Sequence, residues 1–302
     1  MKIIPVTPRG YCKGVIYAIE LAKQTRKNNP DKKITMLGMI VHNKHIINAC
    51  KEIGIDCVES KGKTRLELLD EINDGIVIFT AHGVSDDVIK KATEKGLKIV
   101  DASCNDVVKT KNIVKNHINE GYNVIYIGKK HHPEAEAITS ISSKVHLVSN
   151  INDLKKLDHF DKSMLTNQTT MSILEINDII QQAKIMYPNI IIWEEICSAT
   201  RIRQQAIKDL KDVDTLIVVG DKTSNNSNKL IEVGKDNNIK NAYLVENVSE
   251  LKSSWFKDSK TVAVTSGAST PTLITQQVID ALNYYSVHEK FCSDTIILDK
   301  LI

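Results

Sequence analysis

Short runs rich in Ile and Val recur along this chain, separated by amphipathic stretches of about 10 to 16 residues, and this alternation constrains the fold more than any other feature. Parallel strands cannot be joined by tight turns, so each pair needs a crossover helix, and the alternation reads as a mostly parallel α/β architecture. Strands are expected at Ile3 to Val6, Ile34 to Met39, Ile76 to Phe79, Leu97 to Val100, Val124 to Ile127, Ile190 to Trp193, Leu216 to Val219, Tyr243 to Val245 and Val262 to Val264. Helices are expected at Asp86 to Lys95, with Ser85 as amino cap, and at Val107 to Glu120, Ile173 to Met186, Arg203 to Lys211, Leu230 to Asn237 and Thr272 to Tyr284. At 302 residues there is room for two or three packed units.

Composition excludes several classes. Hydrophobic residues at 42% and charged residues at 25% are globular values, which rules out a disordered or collagen-like chain. Forty Lys and Arg against 37 Asp and Glu leave a net charge of +3, so neither a general nucleic-acid binder nor a membrane-surface protein is expected. No apolar run is long enough to span a bilayer, and the expected location is the cytoplasm. The six cysteines are scattered, and none forms a CxxC pair. A disulfide scaffold, a zinc ribbon and a thioredoxin-like site are therefore all disfavoured.

Three of those cysteines define an internal repeat. Cys12, Cys104 and Cys197 lie 92 and 93 residues apart, and polar residues recur in phase with them. His42, His132 and Ser224 follow their cysteines by 30, 28 and 27 residues; His82, Thr169 and Ser269 follow by 70, 65 and 72. Ligands of open parallel sheets bind beyond the carboxyl ends of the strands. The expected architecture is thus three similar α/β lobes, residues 1–98, 99–189 and 190–302, in pseudo-threefold array about one central point.

Three thiolates without a fourth in phase suit a metal centre with an open coordination position, and soft sulfur selects iron–sulfur clusters, zinc or copper(I). The competing reading is that these cysteines are small buried hydrophobes, as is expected for the out-of-phase Cys50, Cys57 and Cys292. The in-phase His, Ser and Asn residues are donors suited to a small anion such as a phosphate. Glu134, next to His132 in HPEAEA, is the carboxylate placed to relay protons. The segment Lys222 to Leu230 precedes a helix whose amino end could add donors to an anion site. Neither a Walker loop nor a dinucleotide fingerprint is present, so a nucleotide cofactor is not expected.

In order along the chain, GYCKGV, VHN, TAHGVS, DASC, HPE, NQTT, ICSATRIRQ, SNNSN and SGAST resemble the motifs of the 4-hydroxy-3-methylbut-2-enyl diphosphate reductases, the IspH or LytB family, from about Arg9 to Leu273. The resemblance implies that Cys12, Cys104 and Cys197 ligate one 4Fe-4S cluster with a free fourth iron. It implies that His42, His82, His132, Ser224, Asn226 and Ser269 hold the diphosphate, Asn225 lying among them, and that Thr169 contacts the substrate alcohol or an ordered water. Glu134 then matches the proton-relay carboxylate. The implied reaction is a two-electron reductive dehydroxylation giving isopentenyl and dimethylallyl diphosphates in the last step of the methylerythritol phosphate route. Its implied electron donor is reduced ferredoxin or flavodoxin, and the implied state is a monomer.

Some positions depart from the family pattern. Ile16 and Tyr17 stand where an acidic residue and Arg are usual, Asn105 replaces Pro, and the diphosphate loop reads Ser224, Asn225, Asn226 rather than Ser-Ser-Asn. Two other readings accompany the reductase: a diverged enzyme using the same open cluster on another small substrate, and a non-catalytic iron–sulfur redox sensor. Retention of Glu134 and the anion-binding set argues against the sensor.

Overall fold

In a computed structural model, residues 1–291 are described. Twelve strands occur among them: β1 Lys2–Pro5, β2 Ile34–Leu37, β3 Asp56–Val58, β4 Ile76–Phe79, β5 Lys98–Asp101, β6 Asn123–Ile127, β7 Val145–Val148, β8 Ser163–Asn167, β9 Ile191–Trp193, β10 Thr215–Val219, β11 Asn241–Val245 and β12 Thr261–Ser266. The helices are α1 Lys13–Asn28, α2 Lys44–Glu52, α3 Arg65–Leu68, α4 Asp86–Glu94, α5 Asn105–Asn119, α6 Pro133–Thr139, α7 Ile151–Leu154, α8 Ile173–Met186, α9 Ser198–Lys208, α10 Asn225–Asp236 and α11 Thr272–His288.

The strands form three parallel sheets of four, each with the same internal order. These are β1-β12-β10-β11, β5-β4-β2-β3 and β9-β8-β6-β7. The expected three α/β lobes of parallel sheet are therefore present. Within each sheet the second and third strands carry the apolar runs, and β2, β4, β8 and β10 are buried along their whole length. A strand buried on both faces needs helices above and below it, which the crossover helices supply. Each fully buried Ile, Leu or Phe contributes about 1.5–3 kcal/mol relative to exposure.

Which residues share a sheet differs from a division at 98/99 and 189/190. β1 pairs with β12, so the strand leading to Cys12 belongs with the carboxyl-terminal lobe and not with β2 to β4. β5 pairs with β4, so Cys104 follows the edge strand of the sheet that holds β2 to β4. β9 pairs with β8, which puts Cys197 after the edge strand of the next. Each cysteine thus closes a lobe instead of opening one. The physical reason is the pairing itself: the cysteine-bearing strand adds in parallel beside the preceding strand, and the helix after the cysteine carries the chain away to the next lobe.

By compactness the chain divides into two units. One comprises Met1–Ile16, His42–Glu52 and the chain from Ser198; the other comprises Tyr17–Val41 and Ile53–Cys197. The first holds the β1-β12-β10-β11 sheet, with a core of Val6, Ile207, Leu216, Val218, Leu230 and Ala263 among others. The second holds the other two sheets, with one core around Leu37, Leu68, Val77 and Phe79 and another around Ile125, Leu165, Ile176 and Ile180. No helix among the described residues is long and apolar enough to cross a membrane.

Candidate active site

The three in-phase cysteines occupy one local structure, repeated three times. Each follows an edge strand and immediately precedes a helix: Cys12 before α1, Cys104 before α5 and Cys197 before α9. Each backbone N–H donates to a carbonyl in the loop after the adjacent strand: Cys12 to Ala268, Cys104 to Ala81 and Cys197 to Thr169, all at 3.0 Å. The neighbouring loops are SGAST, TAHG and NQTT, so the hydrogen bond joins each cysteine motif to the third in-phase motif of its own sheet. Cys12, Cys104 and Cys197 are half-buried, whereas Cys50 is buried in α2 with its thiol pushed up to about 11 by burial. Accessible soft thiols with pinned backbones at helix amino ends fit a thiolate-held cofactor; the helix dipoles there favour negative charge. Among the described residues no three His, Cys, Asp or Glu side chains are already gathered closely enough to hold a metal ion. Cys292 lies outside the described residues.

In the unit that carries Cys12, the loop before that cysteine is held from two sides. The Gly10 N–H donates to Ser266 Oγ at 2.7 Å, and the Gly10 carbonyl accepts from the buried Arg203 guanidinium at 2.6 Å. Gly10 has φ +78°, and a Cβ there would meet Thr272 Oγ1 at 2.4 Å, so this turn needs glycine. Arg203, in the ATRIRQ segment, is thus a structural residue of the cysteine loop that the sequence reading did not single out.

The donor cluster of the same unit is built on β10, β12 and their loops. Ser224 caps α10, its Oγ accepting from the Ser227 N–H at 3.3 Å, and Asn225 and Asn226 form the first turn. The helix therefore begins five residues before the expected Leu230; Ser and Asn are poor in helix interiors but favoured at its start. Asn226 Oδ1 accepts from Thr200 Oγ1 at 3.3 Å, and its buried Nδ2 has no hydrogen-bond partner among the described residues. A buried donor held in this way suits an acceptor-rich anion. Ser269 donates its hydroxyl to the His42 carbonyl at 3.0 Å, bringing two in-phase positions together. Asp221 accepts from Thr223 and from the Lys44 N–H; although burial pushes its carboxyl up, these bonds and the nearby His42 hold it below the usual value.

Ser227 shapes this cluster. A Cβ at Gly220 would meet Ser227 Oγ at 2.3 Å and one at Gly267 would meet it at 2.1 Å, so both glycines make room for one buried side chain. Gly267→Ala is expected to cost about 1–3 kcal/mol in urea unfolding through overpacking. Adding Ser227→Ala should recover most of that loss, because the nearest remaining Ser227 atom, Cβ, is 3.4 Å away.

In the other unit, His132 caps α6, its Nδ1 accepting from the Glu134 N–H at 3.2 Å. A neutral imidazole that accepts at Nδ1 carries its proton at Nε2, which makes Nε2 the donor side of this ring. His131 takes a left-handed φ of 62°, which turns the chain into α6. The His82 ring meets that of His132 edge-on with centroids 5.6 Å apart, so the two sheets of this unit contribute adjacent imidazoles. His82 Nδ1 lies 3.3 Å from Thr80 Oγ1.

Glu134 is buried beside them. Its Oε1 accepts from the Thr169 N–H at 2.8 Å and from Tyr126 Oη at 3.2 Å, and its Oε2 accepts from Thr169 Oγ1 at 2.9 Å. Burial pushes the carboxyl up to about 7 although all three donors oppose the shift. Thr169 is thus a partner of Glu134. Lys109, one turn into α5, pairs at 3.0 Å with the buried Glu195, whose N–H donates to Asn167 Oδ1 at 3.0 Å. That bridge ties the Cys104 and Cys197 segments together. Neither Tyr126 nor the Lys109–Glu195 pair was singled out in the sequence; the partners lie 8 and 86 residues apart, and no periodicity signals either contact.

Comparisons with known proteins identify the relatives of this chain. The family model described as LytB protein matches residues 3–283. A 4-hydroxy-3-methylbut-2-enyl diphosphate reductase of Geobacillus sp. (strain WCH70) is 47% identical over 293 residues, covering 96% of this chain and 92% of that protein. The reductase of that name from Bacillus subtilis (strain 168) is also 47% identical, over 294 residues, with 96% and 92% covered. The solved E-1-hydroxy-2-methyl-but-2-enyl-4-diphosphate reductase of Plasmodium falciparum superposes with a TM-score of 0.88 at 32% identity, covering 93% of this chain and 88% of that one. A second solved structure, described as the terminal enzyme of the non-mevalonate pathway, matches with a TM-score of 0.66 at 29% identity, covering 94% and 100%. With half-identical relatives over nearly its whole length, this chain belongs to the LytB family of reductases.

Proposed function

We propose that the chain is a 4-hydroxy-3-methylbut-2-enyl diphosphate reductase, an oxidoreductase acting at the last step of the non-mevalonate, or methylerythritol phosphate, route to isoprenoids. It replaces the allylic hydroxyl by hydrogen, consuming two electrons and two protons and releasing water with isopentenyl or dimethylallyl diphosphate. The observation that carries this reading is Glu134, a buried carboxyl pushed up to about 7 beside two paired imidazoles. A group of that kind holds a proton at neutral pH and can give it to a poor leaving group.

In this reading Cys12, Cys104 and Cys197 hold one 4Fe-4S cluster per chain. When bound, the cluster would pass on the donor's two electrons one at a time and supply a Lewis-acidic open iron for the substrate oxygen. His42, His82, His132, Ser224, Asn225, Asn226 and Ser269 bind the diphosphate, with the buried Asn226 Nδ2 as one of its donors. The anchored diphosphate fixes the allylic end, and Glu134 with Thr169 presents a proton to the departing hydroxyl. The electrons come from reduced ferredoxin or flavodoxin, and the working form is a cytoplasmic monomer of three lobes.

Anaerobically reconstituted protein, given the allylic diphosphate and a dithionite-reduced mediator, should release both isomeric diphosphates. An intact cluster without turnover would overturn the assignment of substrate.

A further inference from the structure

Tyr126 belongs to no sequence motif, yet among the described residues its hydroxyl is one of three groups that hydrogen-bond to the Glu134 carboxylate. It lies on β6, fully buried in a cluster with Val114, Val124, Ala135, Ile138 and Met164. Its ring needs the space left by Gly128, where a Cβ would stand 2.8 Å from Tyr126 Cε1. A leucine or phenylalanine would fill an apolar cluster equally well, so the phenol needs a separate explanation. Its hydroxyl is spent on Glu134 Oε1 at 3.2 Å.

The three donors are not equivalent. The Thr169 N–H can only donate, so the oxygen that faces it, Oε1, must accept. Tyr126 adds a second donor to the same oxygen. Among the described residues Oε2 bonds to the Thr169 hydroxyl alone, which can rotate to donate or to accept. A proton on Oε1 would displace the Thr169 N–H, which cannot reverse, and would turn the Tyr126 hydroxyl proton toward its apolar neighbours, whereas one on Oε2 needs only a rotation of the Thr169 hydroxyl. A buried donor left without its acceptor there costs about 1–3 kcal/mol.

We infer that Tyr126 is a positioning residue for the reaction proposed above: with the Thr169 N–H it keeps Oε1 an acceptor, so that the mobile proton of Glu134 resides on Oε2, beside the Thr169 hydroxyl. The inference rests on the reading of Glu134 as the proton donor. It adds the oxygen that carries the proton and the residue that selects it. Tyr126 also favours the charged carboxylate, because its donor bond is strongest to an anion.

Tyr126→Phe tests this while leaving the ring packing in place, and a thermal melt checks that the variant is folded. The Glu134 carboxyl band is identified by infrared pH-difference spectra as the band missing in Glu134→Gln, in both metal-free and cluster-loaded protein. In Tyr126→Phe its midpoint should rise by about half a pH unit, a threefold gain in proton affinity. In the loaded enzyme the alkaline limb of kcat should move up equally, with kcat lowered and KM unchanged. An unmoved midpoint, or a change confined to KM, overturns the inference. If Glu134→Gln itself keeps the alkaline limb of the native enzyme, the reading of Glu134 as proton donor fails instead, and the infrared midpoint still decides whether Tyr126 acts on the carboxyl.

Discussion

Glu134→Gln is expected to lower kcat by about 10²–10⁴-fold, the usual worth of a positioned general acid, while leaving the chain folded. Glutamine preserves the shape of the side chain; its oxygen can still accept from the Thr169 N–H and Tyr126, and its amide can donate to the Thr169 hydroxyl. What it lacks is the transferable proton. The native enzyme should lose turnover as the pH rises through about 7, where Glu134 gives up its proton, and the variant's residual rate should show no such limb.

The same residue makes an opposite prediction for stability. Burial raises the Glu134 carboxyl from 4.5 to about 7, so it is protonated in both folded and unfolded chains at low pH and contributes nothing there. Between about 4.5 and 7 the unfolded chain loses this proton first, and folding stability falls as the pH rises. Above about 7 the penalty is complete, roughly 3 kcal/mol at 1.36 kcal/mol per pH unit. Relative to the native protein, Glu134→Gln should therefore gain stability between pH 5 and pH 8 in urea unfolding. Parallel unfolding curves for the two proteins across that range would show that the carboxyl does not carry the perturbed affinity. A residue whose replacement stabilises the fold and slows turnover is retained for chemistry.

Cys104→Ala and Cys197→Ala form the second large expectation. Each should lose the cluster, with iron and acid-labile sulfide falling to background and turnover lost. Both chains should still fold, because the backbone N–H that tethers each position to Ala81 or Thr169 remains in the alanine variants. Cys50→Ala is the control. That thiol is buried in α2, and its replacement should leave the cluster content unchanged. Cluster content unaltered in Cys104→Ala or Cys197→Ala would remove that residue from the ligand set.

Much of this was legible in the sequence because it rests on local rules. The apolar runs at Ile76 to Phe79 and Leu216 to Val219 became buried strands, and Ser85 caps α4 as its sequence suggested. Less legible were α1, whose first turn contains Gly14 and whose Ile16 and Tyr17 stay exposed, and the short strands β3 and β7, whose three and four residues are too few to show a period. The expected start of α10 was late because Ser224 to Asn228 reads as a loop when judged by composition.

Spacing and motif order along the chain carry the alternation of strands and helices, the threefold recurrence of cysteine and polar positions, and the motif set that identifies the family. Each of these is a spacing along one chain, which periodicity and motif order report directly. Which recurring residues share a sheet emerged from the fold alone, because parallel pairing joins segments as distant as Lys2 and Thr261, and no local signal selects the partner. The fold also decided the environment of Glu134. In β6, buried from Val124 to Ile127, hydrophobic alternation gives no sign of which side chain turns toward α6. The proton affinity of that carboxyl is set by burial and by donors from Tyr126 and Thr169, which are properties of packing in three dimensions.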